Sequence, residues 1–134
     1  MPTKQRVEYR HLETGYEFPP VNFKLDTAIV ATYLKAVEDT SSLYQDTEIP
    51  PMAVAASSMA TLSESIRLPS GAIHVSQELE FINTVSVNDT LTNHATVSRK
   101  QSRGKFHLLT IALTVSNQKQ KTALAGKASF LLPE

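Results

Sequence analysis

Apolar and polar residues follow two different periods along this chain of 134 residues, and the change falls near its middle. In the first half, "TAIVATYLKAVED" (27–39) repeats apolar residues at helical spacing. Ile29, Tyr33 and Ala36/Val37 fall on one face, and Asp26 stands in front as an N-cap. "MAVAASSMATLSESI" (52–66) predicts a second helix, for which Pro51 suits the first turn. Its small residues Ala53, Ala55, Ala56, Ser57, Ser58 and Ala60 allow close approach to another element, while Val54, Met59, Leu62 and Ile66 add larger contacts. "RLPSGA" ends it, with Pro69 and Gly71 as breakers.

Beyond residue 72 the period falls to two. "IHVSQELEF" (73–81), "TLTNHATVSR" (90–99), "KFHLLTIALTVSN" (105–117) and "TALAGKASFLL" (122–132) predict strands. Alternation is clean through Ile73, Val75, Gln77, Leu79 and Phe81, and again through Leu109, Ile111, Leu113 and Val115. The separators "NTVSVND", "KQSRG" and "QKQK" are short, which predicts antiparallel neighbours. Upstream, "YEFPPVNFKL" (16–25) alternates around a Pro-Pro pair. Proline cannot donate to a ladder, so this segment reads as an edge or bent strand. Residues 1–12 are polar and charged and read as a flexible lead-in to a single domain over 13–134. The fold class is α+β: a curled antiparallel sheet of about five strands with a helix packed on one face.

Composition removes several kinds of chemistry. Thirteen basic and thirteen acidic residues cancel, so the chain has no electrostatic footprint for nucleic acid. The nearest basic patch, Arg99, Lys100, Arg103 and Lys105, reads either as a solvated hairpin loop or as a small grip on a phosphate. Without cysteine there is no disulfide, thiolate nucleophile or zinc–thiolate site. Four histidines are scattered without paired spacing or acidic company, so no metal site is expected. Neither a signal-peptide core nor an apolar run of membrane length occurs, and a cytoplasmic protein without a membrane partner is the expectation.

Three blocks carry a resemblance. "YLKAVEDTSSLYQD" (33–46) resembles an aromatic-led helix running into G-D-x-N-P-x-H-x-D. "IPPMAVAASSMATL" (49–62) resembles the entrance of a central helix. "GAIHVSQELEFINTVSVNDTLTNHATV" (71–97) is similar to G-x-x-H-x-x-Q-x-x-x-F followed by P-V-x-x-G-D-x-L. These blocks and the later strands resemble, over about residues 16–132, the MaoC-like branch of the hotdog fold, which includes R-specific enoyl-CoA hydratases and hydroxyacyl dehydratases. The resemblance implies a sheet wrapped around a central helix. It also implies an acyl thioester of CoA or an acyl-carrier protein as ligand, with no resident cofactor.

Carried over by position, Asp39 falls on the family's catalytic aspartate, Tyr44 on its catalytic histidine, and Asp46 on the acidic residue just beyond. Glu38 replaces the glycine before the aspartate, and Ser41-Ser42 replace Asn-Pro. Asn88 replaces the glycine of the later turn and tolerates the same left-handed backbone. The stretch from Asp46 to the central helix is shorter than in the family, so loop 46–51 bears on whether an acyl tunnel stays open.

Enoyl hydration needs a base for water, an acid for the α carbon and donors for the thioester oxygen. On the resemblance, Asp39 orients water, and Met52 and Ala53 at the helix mouth meet the acyl group, with the Met52 N–H facing its carbonyl. Pro50 and Pro51 have no N–H to give. A phenol with an ordinary pKa near about 10 is a poor base at neutral pH, so Tyr44 does not replace imidazole in kind. Asp39 also reads as a residue of the helix C-terminal turn, and Tyr44 as an aromatic lid over the core. His74 has opposite parity to Ile73 and Val75; it reads as a structural or interface residue, or as a spatial stand-in for the missing imidazole. His94 and His107 read as surface groups, and Ser57-Ser58 as small packing residues. Arg103 and Lys105 are placed to hold a CoA or carrier-protein phosphate.

Three functions follow. The first is an acyl-thioester-binding hotdog protein, a non-catalytic partner of a dehydratase or hydratase. The second is an active hydro-lyase using Asp39. The third is a hotdog thioesterase, which would carry an acid or Gln on the central helix; Glu64 sits near that helix's C-terminal end instead. A sheet with an open edge predicts a homodimer or a heterodimer with another hotdog subunit.

Overall fold

A computed structural model describes residues 6–39 and 48–133. Strand β1 (Val7–Glu8) leads into a single 3-10 turn (Tyr9–His11). Strand β2 (Val21–Phe23) and helix α1 (Thr27–Ala36) follow, then helix α2 (Pro51–Ser63) and strand β3 (Ile66–Arg67). Four long strands complete the chain: β4 (Ile73–Phe81), β5 (Leu91–Arg103), β6 (Phe106–Ser116) and β7 (Thr122–Pro133). Five strands form one antiparallel sheet in the order β2-β5-β6-β7-β4, and β1 and β3 make a short parallel pair.

Helix starts obey their local chemistry. The Asp26 carboxylate accepts from the Ile29 N–H at 2.8 Å, and Pro51 occupies the first turn of α2, where its missing N–H costs nothing. In α2 Val54 and Leu62 are buried along with Ala53, Ala55 and Ser58, so small side chains bring the helix close to the sheet. Ile66 is also buried, but from β3 rather than from the helix. The stripe on α1 differs from the predicted one. Val30 is buried and Tyr33 and Leu34 pack beside it, whereas Ile29 and Val37 are about half exposed. Both stripes have helical spacing, and the angle at which the helix docks chooses between them.

Strands differ from expectation at three places. "KQSR" belongs to β5, so the hairpin turn shrinks to Gly104 and Lys105, with Gly104 at φ 61°. β4 and β5 are not neighbours: the segment 82–90 crosses the end of the sheet, and β4 pairs with β7 at the outer edge. A bulge between His74 and Ser76 shifts the parity of β4. Gln77, Leu79 and Phe81 thereby join His74 on the inner side opposite Ala128, Gly126 and Leu124, while Ile73 points outward. Gly126 is required here, because a Cβ at that position would collide with the Glu78 carbonyl oxygen. The Pro19–Pro20 pair does bend its strand. Glu17 bridges Thr96, the ladder breaks at the prolines, and β2 resumes against β5 at Val21.

Residues 7–12, assigned to the lead-in by their polarity, are packed into the fold. Tyr9 is 7% and Leu12 0% exposed. Lys100, on the inner side of β5, donates to the carbonyls of Leu12 at 2.8 Å, Tyr9 at 3.2 Å and Arg10 at 3.5 Å and fastens this segment.

The core has two apolar clusters between α2 and the sheet. One gathers Leu12, Leu62, Val97, Leu109, Ile111 and Leu132, and the other Ile49, Val54, Val85, Leu91, Val115 and Leu124. Between them Ser58 of α2 donates to Asn93 Oδ1 of β5 at 2.5 Å, with both residues buried.

Candidate functional site

Two candidate positions lie at helix ends, Asp39 just after α1 and Met52 in the opening turn of α2. α1 closes with the Val37 and Glu38 amides bonded to the carbonyls of Tyr33 and Lys35, and the Asp39 N–H bonds to the Leu34 carbonyl at 2.9 Å. Glu38 has φ 57°, a left-handed conformation, so the backbone turn in front of Asp39 has the form that glycine adopts most readily. Asn88 takes φ 68°, as the sequence leads one to expect. Asp39 is partly buried and its interactions are not confined to that backbone bond. Tyr44 and Asp46 lie outside the described residues.

The chain re-enters through Glu48, which bridges Ser86, and Ile49, whose N–H bonds to the Val85 carbonyl at 2.8 Å. Pro50 and Pro51 remove two amide donors from the mouth of α2. The Ala53 N–H is held by the Pro50 carbonyl at 2.9 Å. Met52 is therefore the one residue of the opening turn whose N–H has no acceptor among the described residues, and its side chain is about half exposed.

Beside this turn lies a cavity of about 180 Å³. Its floor is apolar, made by Ile49, Val54, Val85 and Leu124, all buried. Its rim carries Pro51, Phe81, Asn83, Thr84 and Glu48. Phe81, Val85 and Glu48 were not singled out by the sequence. A usable signal existed for Phe81, because it is the last residue of the H-x-x-Q-x-x-x-F block, and the bulge in β4 turns it inward.

The other candidates sit elsewhere in this chain. His74 stacks on Phe130, with ring centroids 4.8 Å apart and planes at 28°, so it shares the inner side of the sheet with that ring. Phe81 lies seven positions further along the strand, roughly 20 Å away at the usual rise. Arg103 and Lys105 occupy the tip of the β5–β6 hairpin, whereas the start of β5, Leu91, lies in the cluster with Val54. That strand spans about 40 Å, so one chain does not bring these cations to the α2 mouth. His94 is exposed, and His107 Nδ1 lies 3.4 Å from Ser102 Oγ. Among the described residues no three His, Asp or Glu side chains converge as metal ligands. Nor is any helix long and apolar enough to cross a membrane.

A five-stranded antiparallel sheet folded over a central helix, with an apolar cavity at the helix mouth, defines a hotdog protein of the MaoC-like kind. The profile of the FAS1-like dehydratase domain region matches residues 13–125, and the chain belongs to that family. Solved structures agree on the fold. R-hydratase PhaJ1 from Pseudomonas aeruginosa is 20% identical with a TM-score of 0.79, over 98% of this chain and 88% of that one. An (R)-hydratase from A. caviae involved in PHA biosynthesis is 22% identical at 0.77, over 92% and 99%. The ChsH1-ChsH2 complex from Mycobacterium tuberculosis is 14% identical at 0.73, over 91% and 98%. No curated protein sequence matches.

Proposed function

We propose that this chain is a cytoplasmic MaoC-like hotdog subunit that binds an acyl thioester of CoA or an acyl-carrier protein. In this reading it is the non-catalytic partner of a (3R)-hydroxyacyl dehydratase or enoyl hydratase. The observation that carries the reading is the opening of α2, where an apolar cavity of about 180 Å³ meets a helix mouth stripped of two amide donors by Pro50 and Pro51. An acyl chain has a seat there, but among the described residues of the helix mouth a developing enolate oxygen has only the Met52 N–H. Removing one preorganised oxyanion donor typically costs about 100- to 1000-fold in rate. Tyr44 at the position of the family's histidine works in the same direction, since a phenol is a weak base at neutral pH. Solved relatives of this fold include two-component complexes, named ChsH1-ChsH2 and HadBC, which supports a second hotdog subunit as partner.

One observation favours a second reading, an active hydratase built on Asp39. Glu38 accepts the strained left-handed turn that presents this aspartate. Crotonyl-CoA hydration by the purified chain, with Asp39→Asn alongside, separates the two. The first reading expects no hydration above the uncatalysed rate together with measurable acyl-CoA binding. Hydration that disappears in Asp39→Asn would overturn it in favour of the second. Absence of both hydration and binding removes both.

A further inference from the structure

We infer that the cavity beside α2 is a short-chain acyl seat, holding about six carbons or fewer, and that Val54 and Leu124 set the limit. This rests on the thioester-binding reading above and adds the substrate class.

Size comes first. The cavity measures about 180 Å³. An apolar cavity of about 150 Å³ in another protein takes benzene, a guest of six carbons, whereas pockets for larger ligands span about 300–1,000 Å³. Depth is fixed by what stands behind the floor. Val54 and Leu124 are each 2% exposed, and they pack into a cluster whose Leu91 and Val115 are fully buried. A longer chain would have to displace close-packed core, at a cost no methylene repays. Polarity orients the guest, because the floor is aliphatic while Glu48, Asn83 and Thr84 stand at the rim. The Asn83 amide is tied to the Thr122 carbonyl at 2.7 Å, so that part of the rim is held in place. An ionised fatty acid would set its carboxylate against Glu48. A neutral thioester avoids that repulsion and leaves its carrier outside the rim.

The test is calorimetric titration with saturated acyl-CoAs from acetyl to dodecanoyl, repeated with the same acyl groups on pantetheine, the portion that CoA and carrier protein share. Affinity should rise about fourfold per methylene as far as about hexanoyl and then stay flat from octanoyl onward. Val54→Ala removes two methyl groups from the floor and should move the break about two carbons longer. Thr84→Trp, a change on the exposed rim, should flatten the whole series while circular dichroism shows the fold intact. In methyl NMR, butyryl-CoA should shift Val54, Val85 and Leu124. Affinity that keeps rising to dodecanoyl, or a break that folded Val54→Ala leaves in place, overturns the inference alone. Failure of every acyl-CoA and acyl-pantetheine to bind overturns the thioester reading together with it.

Discussion

Glu38 pays an unusual conformational cost in front of Asp39. A non-glycine residue at φ 57° carries roughly 1–2 kcal/mol of steric penalty, and it has no Asn side chain of the kind that eases Asn88 at φ 68°. Glu38→Gly removes this penalty but adds freedom to the unfolded chain, worth about 0.5–1 kcal/mol. The net expectation is a gain of up to about 1 kcal/mol, read as a higher urea midpoint with an unchanged slope. A lower midpoint would show that Glu38 makes a compensating contact. Ser58 teaches a different lesson at the same scale. Within an Ala-rich run it passes for a small packing residue, because its partner Asn93 is 35 positions away. Ser58→Ala leaves the Asn93 carbonyl oxygen buried without a donor and should cost about 1–3 kcal/mol, and pairing it with Asn93→Leu should recover much of that loss. If the single variant is as stable as the parent, water replaces the hydroxyl and the pair is not a fixed contact between the two core clusters.

Secondary-structure elements were legible where one local rule governs them. Asp26 and Pro51 mark helix starts, Pro19–Pro20 breaks a strand, and the run 73–81 is β4 to the residue. Elements became illegible where a distant strand decides. The β4 bulge sends Ile73 outward and His74 inward, although the sequence alternates evenly, because pairing with β7 sets the register. Basic residues made 99–103 look like a loop, yet β6 is long enough to pair with all of it. Lys100 then turns inward and holds the carbonyls of the 3-10 turn, so a residue suspected of gripping phosphate fastens the N-terminal segment instead. Gly126 is the most exacting junction between elements. Gly126→Ala drives a methyl group into the Glu78 carbonyl and should cost about 1–3 kcal/mol. Hydrogen exchange should place the lost protection in β4 and its β7 partners. A uniform loss across the sheet would instead mean that β4 does not open separately.

For the whole molecule, the strand order matters more than any motif. β7 lies between β6 and β4, which leaves β4 at an open edge despite its central place in the sequence. Ile73, Val75, Phe81 and Ile82 are between 44% and 55% exposed along or just beyond that strand, an arrangement that invites another strand. Edge status depends on which strands intervene, and sequence spacing does not carry that information. With a formal net charge of zero the chain has no monopole to draw a partner from afar, and the open edge is the feature that favours pairing. We therefore expect a second hotdog unit, either another copy or a different subunit, to extend the sheet through β4. Val75→Lys puts an ammonium group into that junction, where an unpaired buried charge costs several kcal/mol and association should weaken by at least about 100-fold. Sedimentation equilibrium reads the result. If the partner is a second copy, the parent sediments at twice 14.8 kDa; otherwise it sediments above 14.8 kDa only once another hotdog subunit is added. In either case Val75→Lys should return it to 14.8 kDa with its circular dichroism unchanged. An undiminished complex carrying that lysine would place the junction on a surface other than β4.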